Sequence, residues 1–217
     1  MTAKQVTSKQ RVVDHGEVFT NPREVNAMLD LVKQETERID ARFLEPACGT
    51  GNFLAEVLER KMAVVEKNYA RNQLDYERYA VLAVSSVYGI DILEDNVAAC
   101  RERLFEIVDG HYNRLYAATA KEDFRAAVRF VLSKNIVWGD ALTLKTVSDP
   151  PQPILFSEWS AVNGSLFKRR EFSFKELISQ ASMQELPLFS DMGEEVFIPL
   201  PVHEYPLAHF LRLADAG

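Results

Sequence analysis

Several things are scarce in this chain, and each scarcity removes a class of protein. No apolar run approaches the roughly 20 residues that a membrane-spanning helix requires. The opening "MTAKQVTSKQRVVDHGE" is polar and lacks the apolar core of a signal peptide. A cytoplasmic protein with no membrane association is expected. Two cysteines in 217 residues cannot build a disulfide framework, and Cys48 and Cys100 read as small buried fillers. The four histidines show no metal-ligand spacing, so no metal site is expected. Basic charge is also short: 25 Lys and Arg stand against 32 Asp and Glu, a formal net charge of −7. A chain that gripped nucleic acid unaided would carry a basic field. Any such role here needs a local patch or a partner.

What is present is an alternation. Asn21 and Pro22 open a helix expected to run to about Arg38, with Val25, Met28, Leu29 and Val32 on one apolar face. A short strand in "ARFLE" leads into a glycine turn. Helix follows from about Asn52, with Leu54, Val57, Leu58 and Met62 on one side, and continues over 65–86 with a break near "ARNQ". "SVYGIDI" reads as a second strand, "LEDNVAACRERLFEIV" and "EDFRAAVRFVLSK" as amphipathic helices, and "NIVWGD" as a third strand. Strands alternating with helices imply a parallel, doubly wound α/β sheet. Such sheets hold ligands at the carboxyl ends of their strands. Here those ends are Glu45, Asp91 and Gly139–Asp140, which would share one rim.

The pattern changes after about residue 142. Two β-like runs in "PILFSEWSAVNGSLFKRREFSF" are joined by Asn163–Gly164, a hairpin signal. Residues 174–183 read as a short helix. The expected organisation is a flexible N-terminus at 1–11, an α/β ligand-binding region at 12–142, and a hairpin-bearing appendage at 143–217 that could contact a partner or DNA.

The glycine turn, "EPACGTG", poses the functional question. Gly49 and Gly51 allow backbone conformations closed to other residues and let a ligand approach the main chain. The helix that follows offers unpaired N–H groups, to which a phosphate or an amino-acid carboxylate could bind. A dinucleotide fingerprint needs a third glycine where Leu54 stands, and no Gly-Lys-Ser/Thr follows for a P-loop. Asp91 at the second strand end could accept both hydroxyls of a ribose. Asp140 at the third could accept a proton from an exocyclic amine. S-adenosylmethionine combines an amino acid, a ribose and an adenine.

These residues resemble a family. "EPACGTGNFL" is similar to the first motif of adenine-specific (N6) DNA methyltransferases of restriction–modification systems. "VYGIDI" resembles their second motif and "NIVWGDAL" their third. "HGEVFTNPREVNAML" resembles the cofactor motif that precedes the fold, with Asn21 intervening between Thr20 and Pro22. The resemblance covers about residues 12–142. It implies a Rossmann-like, S-adenosylmethionine-dependent methyltransferase fold with an incomplete parallel sheet, to which the N-terminal helix and the C-terminal β-hairpin read above are added. It also implies roles. Phe19 and Thr20 would flank the methionine end of the cofactor, and Glu45 would lie near its amino group. Pro46, Ala47, Cys48, Gly49, Thr50 and Gly51 would form the turn that closes on it. Asp91 would hold the ribose, Asp140 with Ala141 would meet the adenine amine, and Ile92 would pack on the adenine face or simply in the core.

The family's catalytic tetrapeptide, Asn/Asp-Pro-Pro-Tyr/Phe/Trp, is what this chain lacks. It supplies acceptors that activate the exocyclic amine and a ring that stacks on the flipped base. The one candidate is Asp149–Pro150–Pro151–Gln152, where Gln152 cannot stack and no apolar strand precedes it, so no catalytic residue is assigned. Three readings stay open. The chain is the cofactor-binding part of a methyltransferase completed by a second subunit, a non-catalytic binding module or remnant, or a small-molecule methyltransferase working by proximity. An incomplete sheet also leaves an exposed edge, which predicts self-association or a partner. Between 150 and 175, Phe156, Trp159, Phe167, Phe172 and Phe174 interleave with Lys168, Arg169 and Arg170. That mixture suits phosphates and unstacked bases. The favoured alternative is a hairpin with aromatics on the core and a solvated basic tip.

Overall fold

The structure, a computed structural model, describes residues 20–178 and 200–216. Helix α1 (Pro22–Leu31) begins where the Asn21 side chain accepts the Arg23 N–H at 2.9 Å, so the expected cap and first-turn proline act together. The expected long helix is broken at Val32, which leaves helical dihedrals, and a single turn, α2 (Lys33–Thr36), follows. The break rotates the chain so that Thr36 is buried, while Met28 and Val32 stay half-exposed.

Strand β1 (Phe43–Glu45) enters the glycine turn, and α3 (Asn52–Tyr69) leaves it. The break near "ARNQ" is real: Asn72 caps α4 (Gln73–Ser85) by accepting from the Leu74 and Asp75 amides at 3.0 and 3.3 Å. Next come β2 (Val87–Asp91), α5 (Glu94–Tyr116), α6 (Glu122–Asn135) and β3 (Ile136–Asp140). β1, β2 and β3 pair in that order and in parallel, and a two-residue strand, β4 (Lys145–Thr146), runs antiparallel beside β3. Among the described residues β1 is therefore an edge strand, with Leu44 41% exposed.

The helices' buried side chains share one core with Val87 and Ile136. Tyr88 and Ile90 point to the other face, where Ile154, Phe156 and Phe174 cover them. The doubly wound expectation is thus corrected: a hairpin, not a second helical layer, covers that face among the described residues. β2 is buried along its whole length, so an apolar cover is required there.

That hairpin comprises β5 (Leu155–Asn163) and β6 (Leu166–Ser173), turning at Asn163–Gly164 with Gly164 at φ +53°. β7 (His203–Glu204) and β8 (Ala208–His209) pair with β6, and residues 174–178 are helical. The expected helix beyond 178 and the expected flexible segment at 1–11 lie outside the described residues. All five interleaved aromatics are buried. The basic residues are not at the tip: Arg169 is buried, bonded to Ser157 and Glu171, Arg170 pairs with Glu158, and Lys168 with Glu204. The expected basic tip is corrected to a paired row along β6.

Lys61 on α3 is fully buried and donates to three carbonyls, Arg38 at 2.9 Å, Ile39 at 3.0 Å and Ala41 at 2.6 Å. It fixes the chain that feeds β1. Burial pulls its amine down to about 7, against three acceptors that favour the charged form. Lys61→Met would orphan three carbonyls and should cost on the order of 3 kcal/mol in urea unfolding. The unfolded chain keeps this proton to a pH of about 10.4. It therefore binds more protons than the folded chain above about 7. Wild-type stability should then rise across that window relative to Lys61→Met; a flat difference would contradict the lowered amine.

Candidate functional site

Three parallel strands end at one rim. Glu45 stands opposite Gly89, with Asp91 two residues further along β2, and Asp91 stands opposite Trp138, with Asp140 two residues further along β3. The carboxylates therefore step outward across the sheet. Glu45 is half-buried, and burial raises its carboxyl above the ordinary range despite a bond to Ala47.

The turn is built on two left-handed glycines, Gly49 at φ +52° and Gly51 at φ +83°. Pro46 and Ala47 are exposed, and Thr50 is half-buried. Cys48 is buried, and its N–H donates to the Ile90 carbonyl at 2.9 Å, tying the turn to β2. Its thiol lies against Cys100, and that hydrogen bond together with burial pushes it up. Gly51 has a second constraint besides φ. A Cβ there would sit 2.8 Å from the Cys100 sulfur, so this glycine lets α5 approach the turn.

Gly51→Ala should therefore destabilise the fold by about 1–3 kcal/mol through strain and overpacking. Adding Cys100→Ala should return the steric part and leave the strain of φ. A thermal-melt cycle of the two substitutions measures the split, and strict additivity would rule out the contact.

Asp91 joins the turn to β2. Its Oδ2 accepts the Gly49 N–H at 2.8 Å, and its Oδ1 accepts the Leu93 N–H at 2.9 Å and the Asn96 amide at 3.2 Å. Ile92 next to it is 47% exposed, which suits a packing surface at the rim and not the core. The Trp138 indole donates to the Ile92 carbonyl at 3.0 Å and fixes that peptide. Asp140 accepts the Leu142 N–H at 2.8 Å and the Thr143 hydroxyl at 3.0 Å, and the first of these leads in holding its carboxyl below the ordinary range. Ala141 packs against the second-face cluster. Thr20 is exposed, and its carbonyl meets the Asn52 amide at 3.4 Å. Asn52 is held in turn by Arg103. Phe19 lies outside the described residues.

The structure thus brings Glu45, the turn, Asp91, Ile92 and Asp140 onto one rim. Asn96, Trp138 and Arg103 support it and were missed in the sequence. Asn96 left one signal: it is a polar residue four before Cys100 on the inward face of α5.

A family model described as "MmeI, DNA-methyltransferase domain" matches residues 19–152, more than half of the chain and the whole rim. The chain belongs to this family. Comparisons with curated proteins and with solved structures gave no match. The MmeI DNA-methyltransferase domain is a domain of the restriction–modification type, and its substrate is DNA. Its matched span ends at Gln152, so the Asp149–Gln152 loop lies within the MmeI domain. That loop is exposed and closes on itself, the Thr146 N–H donating to the Gln152 carbonyl at 2.8 Å. It is reached by antiparallel descent from the rim, since Lys145 faces Asp140 and Thr146 faces Gly139. Among the described residues no group of three or more His, Cys, Asp or Glu could hold a metal, and no helix is long and apolar enough to cross a membrane.

Proposed function

We propose that the chain holds S-adenosylmethionine as the cofactor-binding part of an adenine-N6 DNA methyltransferase of a restriction–modification system. On this reading β1, β2 and β3 are part of a Rossmann-like methyltransferase sheet within 12–142, and 143–217 is an appendage for DNA or partner contact. The observation that carries it is the sign of the rim. Glu45, Asp91 and Asp140 place three carboxylates at successive strand ends on the rim that carries a turn which could otherwise suit a phosphate. They repel a phosphate and favour a ligand with cationic centres, and S-adenosylmethionine carries an ammonium and a sulfonium.

The residues fit the group. The first turn of α3 presents N–H groups to a carboxylate, and Glu45 lies beside the place of the amino group. Asp91 faces the ribose, and Ile92 offers an apolar face to the adenine. Asp140 has accepted two donors and keeps capacity for an amine. The bound cofactor supplies an electrophilic methyl group on sulfonium. Transfer to an adenine amine needs acceptors and a stacking ring that these residues do not provide, so a second chain or a missing segment completes the enzyme.

A second reading, a non-catalytic binding module or remnant, is favoured by the Asp149–Gln152 loop, which has no aromatic ring and descends from the rim. Isothermal titration of the full chain with S-adenosylmethionine tests the first claim. Saturable heat is expected, and none at millimolar ligand would refute the cofactor site. Methyl transfer from labelled cofactor to DNA, with and without a protein carrying Asn-Pro-Pro-Tyr, separates the two readings. Transfer only in the mixture supports a split enzyme, and binding without transfer in any mixture supports the module.

A further inference from the structure

We infer that the groove beside β1 is a docking site for an extended segment of a second protein chain, one that carries an acid and a large apolar residue two positions apart. This rests on the reading above in which a second chain completes the enzyme, and it states what that chain must bring. The groove holds about 500 Å³ on the second face of the sheet, under the hairpin. Leu44, Tyr88, Phe156, Phe172 and Phe174 make it apolar. Most of its lining comes from residues 156–178, beyond the matched span of 19–152, so the family match does not account for it. Its volume lies in the range of sites that take specific ligands.

Backbone and side chains point to the same occupant. The Phe43 N–H donates inward to the Ser86 carbonyl at 2.9 Å. Peptide groups alternate sides along a strand, so the N–H and C=O of Leu44 face the open edge. Leu44 stands opposite Tyr88 and shares its face, and Arg42, two residues earlier, lines the same groove. A strand added to a sheet edge takes affinity from its backbone and specificity from alternate side chains. Here the side chain beside Leu44 enters the apolar groove, and the one two positions away meets Arg42. At that mouth two guanidiniums share one carboxylate, since Glu158 accepts Arg42 and Arg170, each at 2.8 Å. One positive charge is left over. Arg42 is 61% exposed and gives Nη2 to Glu158, which leaves its Nε and Nη1 donors open among the described residues. A carboxylate on the incoming strand matches them. A second copy of this chain fits less well. Two β1 strands pairing antiparallel about Leu44 would set Pro46 beside Arg42, where the site calls for an acid.

The test pans phage-displayed random dodecapeptides against the full chain. Enriched peptides should carry Asp or Glu two positions from Leu, Ile, Phe or Trp. One of them, synthesised, should bind the wild type in calorimetry and bind Arg42→Glu roughly tenfold more weakly, because unlike charges become alike. Replacing its acid with Lys should restore binding to Arg42→Glu and weaken binding to the wild type, a reversal that damage to the fold would not give. Enriched peptides without an acid, or affinity indifferent to Arg42→Glu, would overturn the inference, as would no enrichment at all. Two further outcomes would overturn it by naming another occupant. One is a dimer in light scattering that the peptide splits, and the other is a short single-stranded oligonucleotide that displaces the peptide. S-adenosylhomocysteine is titrated into the same protein. Its heat without peptide binding sinks the docking site alone, and peptide binding without its heat sinks the cofactor reading alone.

Discussion

Asp91→Ala is expected to weaken S-adenosylhomocysteine binding by at least about a hundredfold, since it removes a charge-assisted hydrogen bond and also loosens the turn that holds the ligand. The substitution removes one acceptor from three donors together: the Gly49 and Leu93 N–H groups and the Asn96 amide. Water can reach the first two at the rim, whereas Asn96 is buried. A stability loss of about 1–3 kcal/mol should accompany the binding loss. Asp91→Asn is the sharper variant. An amide has one oxygen and one NH₂, and every orientation turns that NH₂ toward an existing donor. If it faces Gly49, two N–H groups oppose each other. If it faces Leu93 and Asn96, two donors lose their acceptor. The isosteric change should therefore cost nearly as much affinity as alanine. Calorimetry alongside thermal melting checks both variants, and an Asp91→Asn protein with wild-type affinity would mean that the charge has no role at the rim.

Trp159→Ala is expected to give the largest stability loss in the molecule. The indole is 5% exposed, stacks edge-on with Phe130, and donates to Asn135 Oδ1 at 3.0 Å. Asn135 is itself fully buried and donates to the carbonyls of Ser85 and Val87, both at 3.1 Å. One amide thus joins the end of α6, the start of β2 and the hairpin. Truncating the ring costs about 3–5 kcal/mol, and the orphaned Asn135 oxygen adds ~1 kcal/mol. Against a total stability of about 5–15 kcal/mol for a domain, that loss should remove a large share of the stability and lower the urea midpoint in proportion. Trp159→Phe keeps most of the packing and should lose about 1–2 kcal/mol, the hydrogen-bond part. A loss under about 1 kcal/mol for alanine would mean that the hairpin folds apart from the helices.

Much of the rim was legible because its signals are local. A short apolar run, two glycines and a capped helix declare a strand, a turn and a helix within a dozen residues. Asn163–Gly164 declared the hairpin for the same reason. What could not be read depends on distant contacts. Nothing in α3 marks Lys61 as interior, because lysine is rarely buried, and its three carbonyl partners come from another part of the chain. Glu77 is alike: it is buried on α4, where Tyr112, Gln73 and Lys121 donate to it. The sequence of β2 carries no sign of what covers each of its faces, so the hairpin's place on the second face could not be read. The roles of Lys168, Arg169 and Arg170 were misjudged because composition cannot show that Glu204 and Glu158 lie across the strands from Lys168 and Arg170, or that Glu171 pairs with Arg169 along the same strand.

The edge strand β1 has one more consequence. Three residues offer a neighbouring strand only two or three backbone hydrogen bonds, each worth about 0.5–1.5 kcal/mol net, which cannot offset the entropy lost on association. Among the described residues the backbone there is open yet nearly inert toward chance encounters, and short edges protect sheets in this way. Whatever joins the sheet at Leu44 must therefore bring complementary side chains as well as an extended backbone. The brevity of β1 thus acts as a filter, admitting a matched chain and passing over the rest.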